Sequence, residues 1–531
     1  MAAAALGGRA RRSLASLFVF ALAFAFHLWI EFREPGLLEV DGYYHVKIAH
    51  LYATGELPIL GGEFPWMAYA SFGKLFADWQ LGYHLLLVPF SWLGLLFGAK
   101  LSAAFFAALL VATAHAILRA QRVPAAWLFA LSLCATSELH LLRSHLVRPT
   151  TLVVTLMLVV AHCAASRRTL GLFLATLALL LVYAVPHNAL AALAVAGVAF
   201  ALSERRVPWK VPAVMLAAIA GSILLHPGFW HWQGSFLGSG HALFRVWQQM
   251  DGSLQAANDG DTVVFEGKTI RMPAPAEFRA PERTEIVGFL SPLVLFLAAL
   301  LLLAVPGRRR VSPFQLTTLG LAALYFFLFL AHIRFFEYWI PFTILGLGAS
   351  IGRWLGDDLA AAARAWRAAP RWRAAAGTLL AGGCLAVVGR QSYASVDRVA
   401  EMIDTGHTGG GLDYQGAMEW IEANTEAGEL VFHDRWPSFS PMFFFNHHNR
   451  YVIGLDPYFF FQLDPSAYRR WIGASNGKLS PEETRAVVLD FGARFACTRK
   501  NSAFAERLGR APGVEIAYQD RRFVVLRVRG D

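Results

Sequence analysis

The chain has 531 residues, 56% of them hydrophobic and 16% charged, with a mean hydropathy of +0.45. That balance excludes a soluble protein of this length and makes the chain a polytopic membrane protein. The formal net charge of +10 comes from Arg clusters recurring between apolar runs; the positive-inside rule accounts for them, and no nucleic-acid partner is expected.

At the N-terminus, Arg9, Arg11 and Arg12 precede an apolar run from Leu14 to Ile30. Trp29-Ile30-Glu31-Phe32 stands where a leader would carry small residues, so an uncleaved first span is expected. Further runs of membrane-crossing length, about 17 to 25 residues, fall near 81–98, 100–118, 124–140, 150–165, 169–185, 188–203, 209–226, 286–305, 313–331, 335–352 and 374–390. Lys and Arg in short connections belong in the cytoplasm. Those here are Arg119 and Arg122, Arg167 and Arg168, Arg205 and Arg206, Arg308 to Arg310, and Arg353 through Arg373. Asp41 is then outside, and an odd number of crossings must separate it from Arg119. Run 81–98, with Gln80, Gly82, Tyr83, His84 and Pro89, is expected to lie in the interface or re-enter. If it crossed as well, four Arg clusters would face outward.

The expected fold is a polytopic α-helical membrane domain over 1–390, with external loops 31–99 and 227–285, followed by an extracytoplasmic α/β domain over 391–531. Within that tail the periodicity predicts helices at Tyr414 to Asn424 and Pro481 to Phe491. Strands are predicted at Leu430 to His433, Tyr451 to Gly454 and Phe495 to Thr498, with a hairpin from Val514 to Tyr518 and Phe523 to Val528. Cys134, Cys163, Cys384 and Cys497 are scattered, without disulfide or zinc spacing.

Candidate chemistry gathers in the external loops. Glu39-Val40-Asp41-Gly42-Tyr43-Tyr44-His45 follows the first span, and an acid at the mouth of a membrane helix is costly unless it pairs, binds a metal or meets substrate. Loop one also supplies Lys47, Glu63, Lys74, Asp78 and His84; surface helices are expected at Val46 to Thr54 and Trp66 to Trp79, with Lys47 and Lys74 as snorkelling anchors. In loop two, Arg143 and Arg148 face outward against the positive-inside trend, which suits an anionic partner such as phosphate. Glu285, before a late span, is either a partner of Asp41 around a divalent cation (Mg or Mn) or a cap that compensates the helix dipole. Arg334 interrupts two aromatic spans, either pairing with Glu337 or gripping a lipid-linked phosphate. In the tail, Trp436 within His433-Asp434-Arg435-Trp436-Pro437-Ser438 offers an aromatic face for an acceptor.

These pieces together resemble the GT-C membrane glycosyltransferases, in particular the oligosaccharyltransferase catalytic subunit family and, among other relatives, the protein mannosyltransferase and aminoarabinose transferase type. Asp41 in Val-Asp-Gly-Tyr-Tyr-His looks like the family's first-loop catalytic aspartate, Glu285 like its Ser/Thr-x-x-Glu glutamate, and Arg334 like its pyrophosphate-gripping arginine. Two departures stand out. Arg143, His145 and Arg148 occupy a loop that is acidic in oligosaccharyltransferases, and Trp-Trp-Asp-Tyr-Gly is absent.

The resemblance implies an integral, multi-pass enzyme of the cell (inner) membrane. It would move a sugar or oligosaccharide from a polyprenyl-phosphate or polyprenyl-diphosphate carrier to a protein, lipid or glycan acceptor. Asp41 and Glu285 would be catalytic or cation-binding, and Tyr44, His45, Arg143, Arg148, Arg334 and Trp436 would bind substrate. The alternative is a transporter or flippase that binds the same carrier and cleaves nothing.

Overall fold

The computed structural model describes residues 2–226, 262–265, 268–271, 280–304, 310–355, 371–404 and 410–530, apart from 71–72, 74–75, 77 and 185. Most of the expected 227–285 loop, Lys74, Arg308 and Arg309, and much of the 353–373 basic segment lie outside the described residues. The first helices are α1 (Ala2–Glu31), α2 (Asp41–Thr54), α3 (Leu81–Ser91), α4 (Leu95–Ala120), α5 (Ala126–Ser132) and α6 (Glu138–Ser144). They are followed by α7 (Thr150–Ala165), α8 (Thr169–Val182), α9 (His187–Glu204) and α10 (Lys210–Leu225). After a short hairpin, Thr262–Phe265 with Lys268–Arg271, come α11 (Arg283–Gly288), α12 (Leu290–Ala304), α13 (Pro313–Ala331), α14 (Phe336–Leu355) and α15 (Arg371–Asp404). Four of the described helices are long and apolar enough to cross a membrane alone: α1 from Leu14, α4, α9 and α13.

The turns sort to two ends of this bundle. At one end Ala184 donates to the Trp79 carbonyl at 2.8 Å, His226 meets the Asp78 carbonyl at 3.0 Å, Arg143 pairs with Glu337, and Arg398 pairs with Glu138 at 2.6 Å. At the other, Gln121 meets His162 at 3.2 Å, Gln315 donates to Ser350 at 3.0 Å, Arg167 pairs with Glu204, and Arg353 reaches the carbonyls of Leu302 and Leu303. The Arg-rich connections share the second end. Helix α3 stays at the first: its 11 residues rise only roughly 16 Å, half of a hydrocarbon core of about 30 Å. Lys100, near the start of α4, donates to the Glu34 carbonyl at that same end.

Two expected helices are altered. The 124–140 run is split into α5 and α6 around buried Thr136 and Ser137. No helix is found at 66–79 among the described residues; Trp66 to Tyr69 runs through turns around a single bridge from Met67 to Tyr451, and its amides and carbonyls pair with the tail. Ala68 donates to Tyr451, Tyr69 to Val452, and Tyr451 back to Trp66, at 2.8 to 3.1 Å.

The tail is an α/β unit with a five-stranded sheet in the order Arg450–Tyr451, Leu430–Phe432, Phe495–Arg499, Phe523–Val528, Val514–Gln519. Its first three strands are parallel and its last two antiparallel to their neighbours. The helices at 415–424 and 481–490 and the other predicted strands are present, but the strand expected at Tyr451 to Gly454 is only Arg450–Tyr451; further helices lie at 439–445, 458–463, 465–475 and 503–509. Helix α15 runs through position 390, where a boundary was expected, into the tail.

Helix α2 joins the two parts. Tyr43, Val46 and Ala49 pack into the membrane bundle's core, whereas Tyr44, Ile48, Leu51 and Tyr52 pack into a core shared with the tail. Packed between both, α2 has ten of its fourteen residues buried. Lys47, expected to snorkel, is 5% exposed, near Glu56 and tail residue Glu422, and burial pushes its amine down to about 8.

Candidate active site

Asp41 opens α2, where a carboxylate is favoured by the exposed amides of the first turn. The short α6 helix carries Arg143 and delivers the following loop, so that Arg148 Nη2 donates to Asp41 Oδ2 at 2.6 Å while its Nε and Nη2 fork onto Glu39. One guanidinium thus bridges two carboxylates, the use for which arginine's planar fork is suited. All three side chains are partly buried, at 18 to 30% exposure, so the site opens to solvent on one side. Burial pushes the Glu39 carboxyl up to about 7; Arg148 opposes this and the Asp41 charge adds to it.

Arg143 acts on Glu39 electrostatically and pairs with Glu337 at the start of α14. Arg143 and Glu337 line a cleft with His140, Ser144, Thr150 and Thr151. Arg334 stands in the turn Ile333–Phe335 just before, half-buried, with its charge reaching His187 and Tyr338. A run of alternating charge therefore extends from Asp41 through Arg148, Glu39, Arg143 and Glu337 towards Arg334.

The remaining expected residues are more dispersed. Tyr44 is buried, with its ring against His45, His84 and Phe443. His45 lies one helical turn after Asp41 and within the field of Arg148; burial first, then His84 and Arg148, holds its imidazole well below the ordinary range. Trp436 sits half-buried in a short turn, packed against the tail's core. Glu285 lies in the first turn of α11, where its carboxylate accepts from the Glu282 amide at 2.8 Å, the capping role open to it from sequence. Glu39 was not singled out by sequence reasoning; the signal was its spacing, two acids with one residue between them ahead of a buried helix.

The cation expected at Asp41 and Glu285 does not match this donor set. The positive charge at Asp41 is supplied by Arg148, and among the described residues no group of three or more His, Cys, Asp or Glu side chains is arranged to hold a metal ion.

In sequence, no family model and no curated protein matches the chain. Solved structures do. The apo oligosaccharyltransferase of Archaeoglobus fulgidus superposes with a TM-score of 0.65 at 13% identity, over 91% of this chain and 69% of that one. The same protein in complex with an inhibitory peptide and a dolichol-phosphate gives 0.60 at 14%, over 93% and 71%. ArnT from Cupriavidus metallidurans bound to undecaprenyl phosphate gives 0.56 at 15%, over 96% and 97%. The chain therefore has the fold of the GT-C membrane glycosyltransferases.

Proposed function

We propose that this protein is a membrane glycosyltransferase that takes a sugar or oligosaccharide from a polyprenyl-phosphate or polyprenyl-diphosphate carrier and passes it to an acceptor at the bundle end that holds Asp41. The observation that carries this reading is the Arg148 guanidinium bonded to both Glu39 and Asp41, with Arg143 beside it. Two of the structural neighbours carry dolichol-phosphate and undecaprenyl phosphate. A leaving carrier phosphate needs fixed positive charge more than it needs a proton, and Arg148, Arg143 and Arg334 supply it along one rim. Asp41 accepts a hydrogen bond from the incoming acceptor and holds it in line with the sugar's anomeric carbon. Glu285 caps α11 through the Glu282 amide.

The test is turnover of a labelled undecaprenyl-phosphate sugar by purified protein. Wild type should release free carrier phosphate; a carrier protein that only moves the lipid would release none, and that result overturns the reading. Asp41→Asn should lower transfer by at least about 100-fold with carrier binding nearly intact, and wild-type turnover in this variant would remove Asp41 from the mechanism.

A further inference from the structure

Beside the phosphate end of the site lies a second buried chain of polar groups. Asp78 Oδ2 is 2.6 Å from His84 Nδ1, and His84 Nε2 is 2.8 Å from His45 Nδ1. All three residues are at most 8% exposed. An ionised carboxylate only accepts, so His84 Nδ1–H donates to Asp78. In neutral His84 this makes Nε2 an acceptor, which takes the Nδ1–H of His45 and leaves His45 Nε2 with a free lone pair. Asp78 is itself fixed by the Tyr52 hydroxyl at 2.9 Å and the Gln80 amide at 2.9 Å. Although burial raises it, His84 and these donors hold its carboxyl below the usual range. The chain ends four residues after Asp41, on the same face of α2.

We propose that Asp78, His84 and His45 form a proton relay that serves a hydroxyl acceptor, with His45 Nε2 as the base and His84 and Asp78 as positioning residues. This rests on the transferase reading above and supplies what that reading leaves open, the destination of the acceptor's proton. Asp41 is a poor destination, since a proton there would break its ion pair with Arg148. In the relay the acceptor oxygen forms its bond to the anomeric carbon as the bond from that carbon to the carrier phosphate oxygen breaks. The acceptor proton passes to His45 Nε2, and His45 Nδ1–H passes to His84 Nε2. The products are the glycoside, the carrier phosphate with one further negative charge, and an imidazolium at His84 held against Asp78.

Burial disfavours a cation on His45, and Arg148 adds to the cost; the hydrogen bond between His84 and Asp78 offers the proton a place one ring onward, beside a buried carboxylate. The groups facing the relay are Tyr44 and Tyr52 from α2, Tyr83 from α3, Arg148 from loop two, and His226, whose ring bonds the Asp78 carbonyl. Asp41, one turn earlier on the same face of α2, is a second carboxylate near Tyr44, and it is paired with Arg148.

The experiment uses full-length protein in detergent or nanodiscs, with an undecaprenyl-phosphate sugar and an alcohol acceptor, and reads kcat and KM separately. His45→Gln, His84→Gln and Asp78→Asn should each lower kcat by about 100-fold or more, with donor KM within about twofold, and added imidazole should restore part of the rate in His45→Ala. Unchanged kcat in His45→Gln, a proportional rise in donor KM in all three, or a His45→Ala variant that binds donor but is indifferent to imidazole would each overturn the relay. Failure of wild type to release carrier phosphate would instead sink the transferase reading, and the relay with it.

Discussion

Arg148 serves two carboxylates of unlike character. Asp41 opens α2, whereas Glu39 precedes the helix and is held near 7 by burial despite the same guanidinium. As pH rises through about 7, Glu39 loses its proton, and the one positive charge of Arg148 is then set against two negative ones. An incoming phosphate is correspondingly less welcome above that pH. The ratio of carrier-phosphate affinity at pH 6 to that at pH 8 should therefore be larger in wild type than in Glu39→Gln, because the phosphate's own titration is common to both. Equal ratios in a binding titration would show that Glu39 does not modulate Arg148.

Among the elements, the junction of α3 and α4 fixes where the first external segment ends. A Cβ placed on Gly98 would stand 1.9 Å from the Phe90 carbonyl oxygen, with backbone on both sides of the contact. Gly98→Ala must push α3 away from α4, and α3 carries His84. An overpacked core costs about 1 to 3 kcal/mol, so Gly98→Ala should lower thermal stability in a melting assay and should reduce turnover through the displaced His84. The Trp66 to Tyr69 segment also ties loop one to the tail. Met67 bridges to Tyr451 at the edge of the tail's sheet, and the Trp66 indole N–H donates to the His447 carbonyl at 2.7 Å. Trp66 is 8% exposed, and removing such a ring costs about 3 to 5 kcal/mol. Trp66→Ala should open loop one and the tail to limited proteolysis together, since they share one hydrophobic core.

For the whole molecule, the sorting of turns to two ends makes a topological prediction. The tail and loop one share a core and should therefore lie on one side of a membrane, with Arg122, Arg168, Arg205 and Arg353 on the other. By the positive-inside rule the Arg-bearing side is the expected cytoplasmic one. Alkaline phosphatase fused after Arg529 should be active, and the same reporter fused after Arg122 should be silent. The reverse pattern would put the Asp41 site on the cytoplasmic face and reverse the proposed orientation.

Hydrophobic runs point to a membrane protein and single out the run at 81–98, and alternating side chains place most strands of the tail, because these depend on composition over windows of ten to twenty residues. Asp41 and Arg148 were legible one at a time, from the cost of placing charge at a membrane boundary. That they bond each other, with Arg148 also held by Glu39, was decided only when α6 returned the loop after Ser144 to the N-terminus of α2, a contact between residues 107 apart in the chain. The same holds for the non-helical path of Trp66 to Tyr69, whose local sequence reads helical until a distant strand edge claims its amides, and for His45, His84 and Asp78, whose order as a relay depends on ring orientations that no spacing encodes.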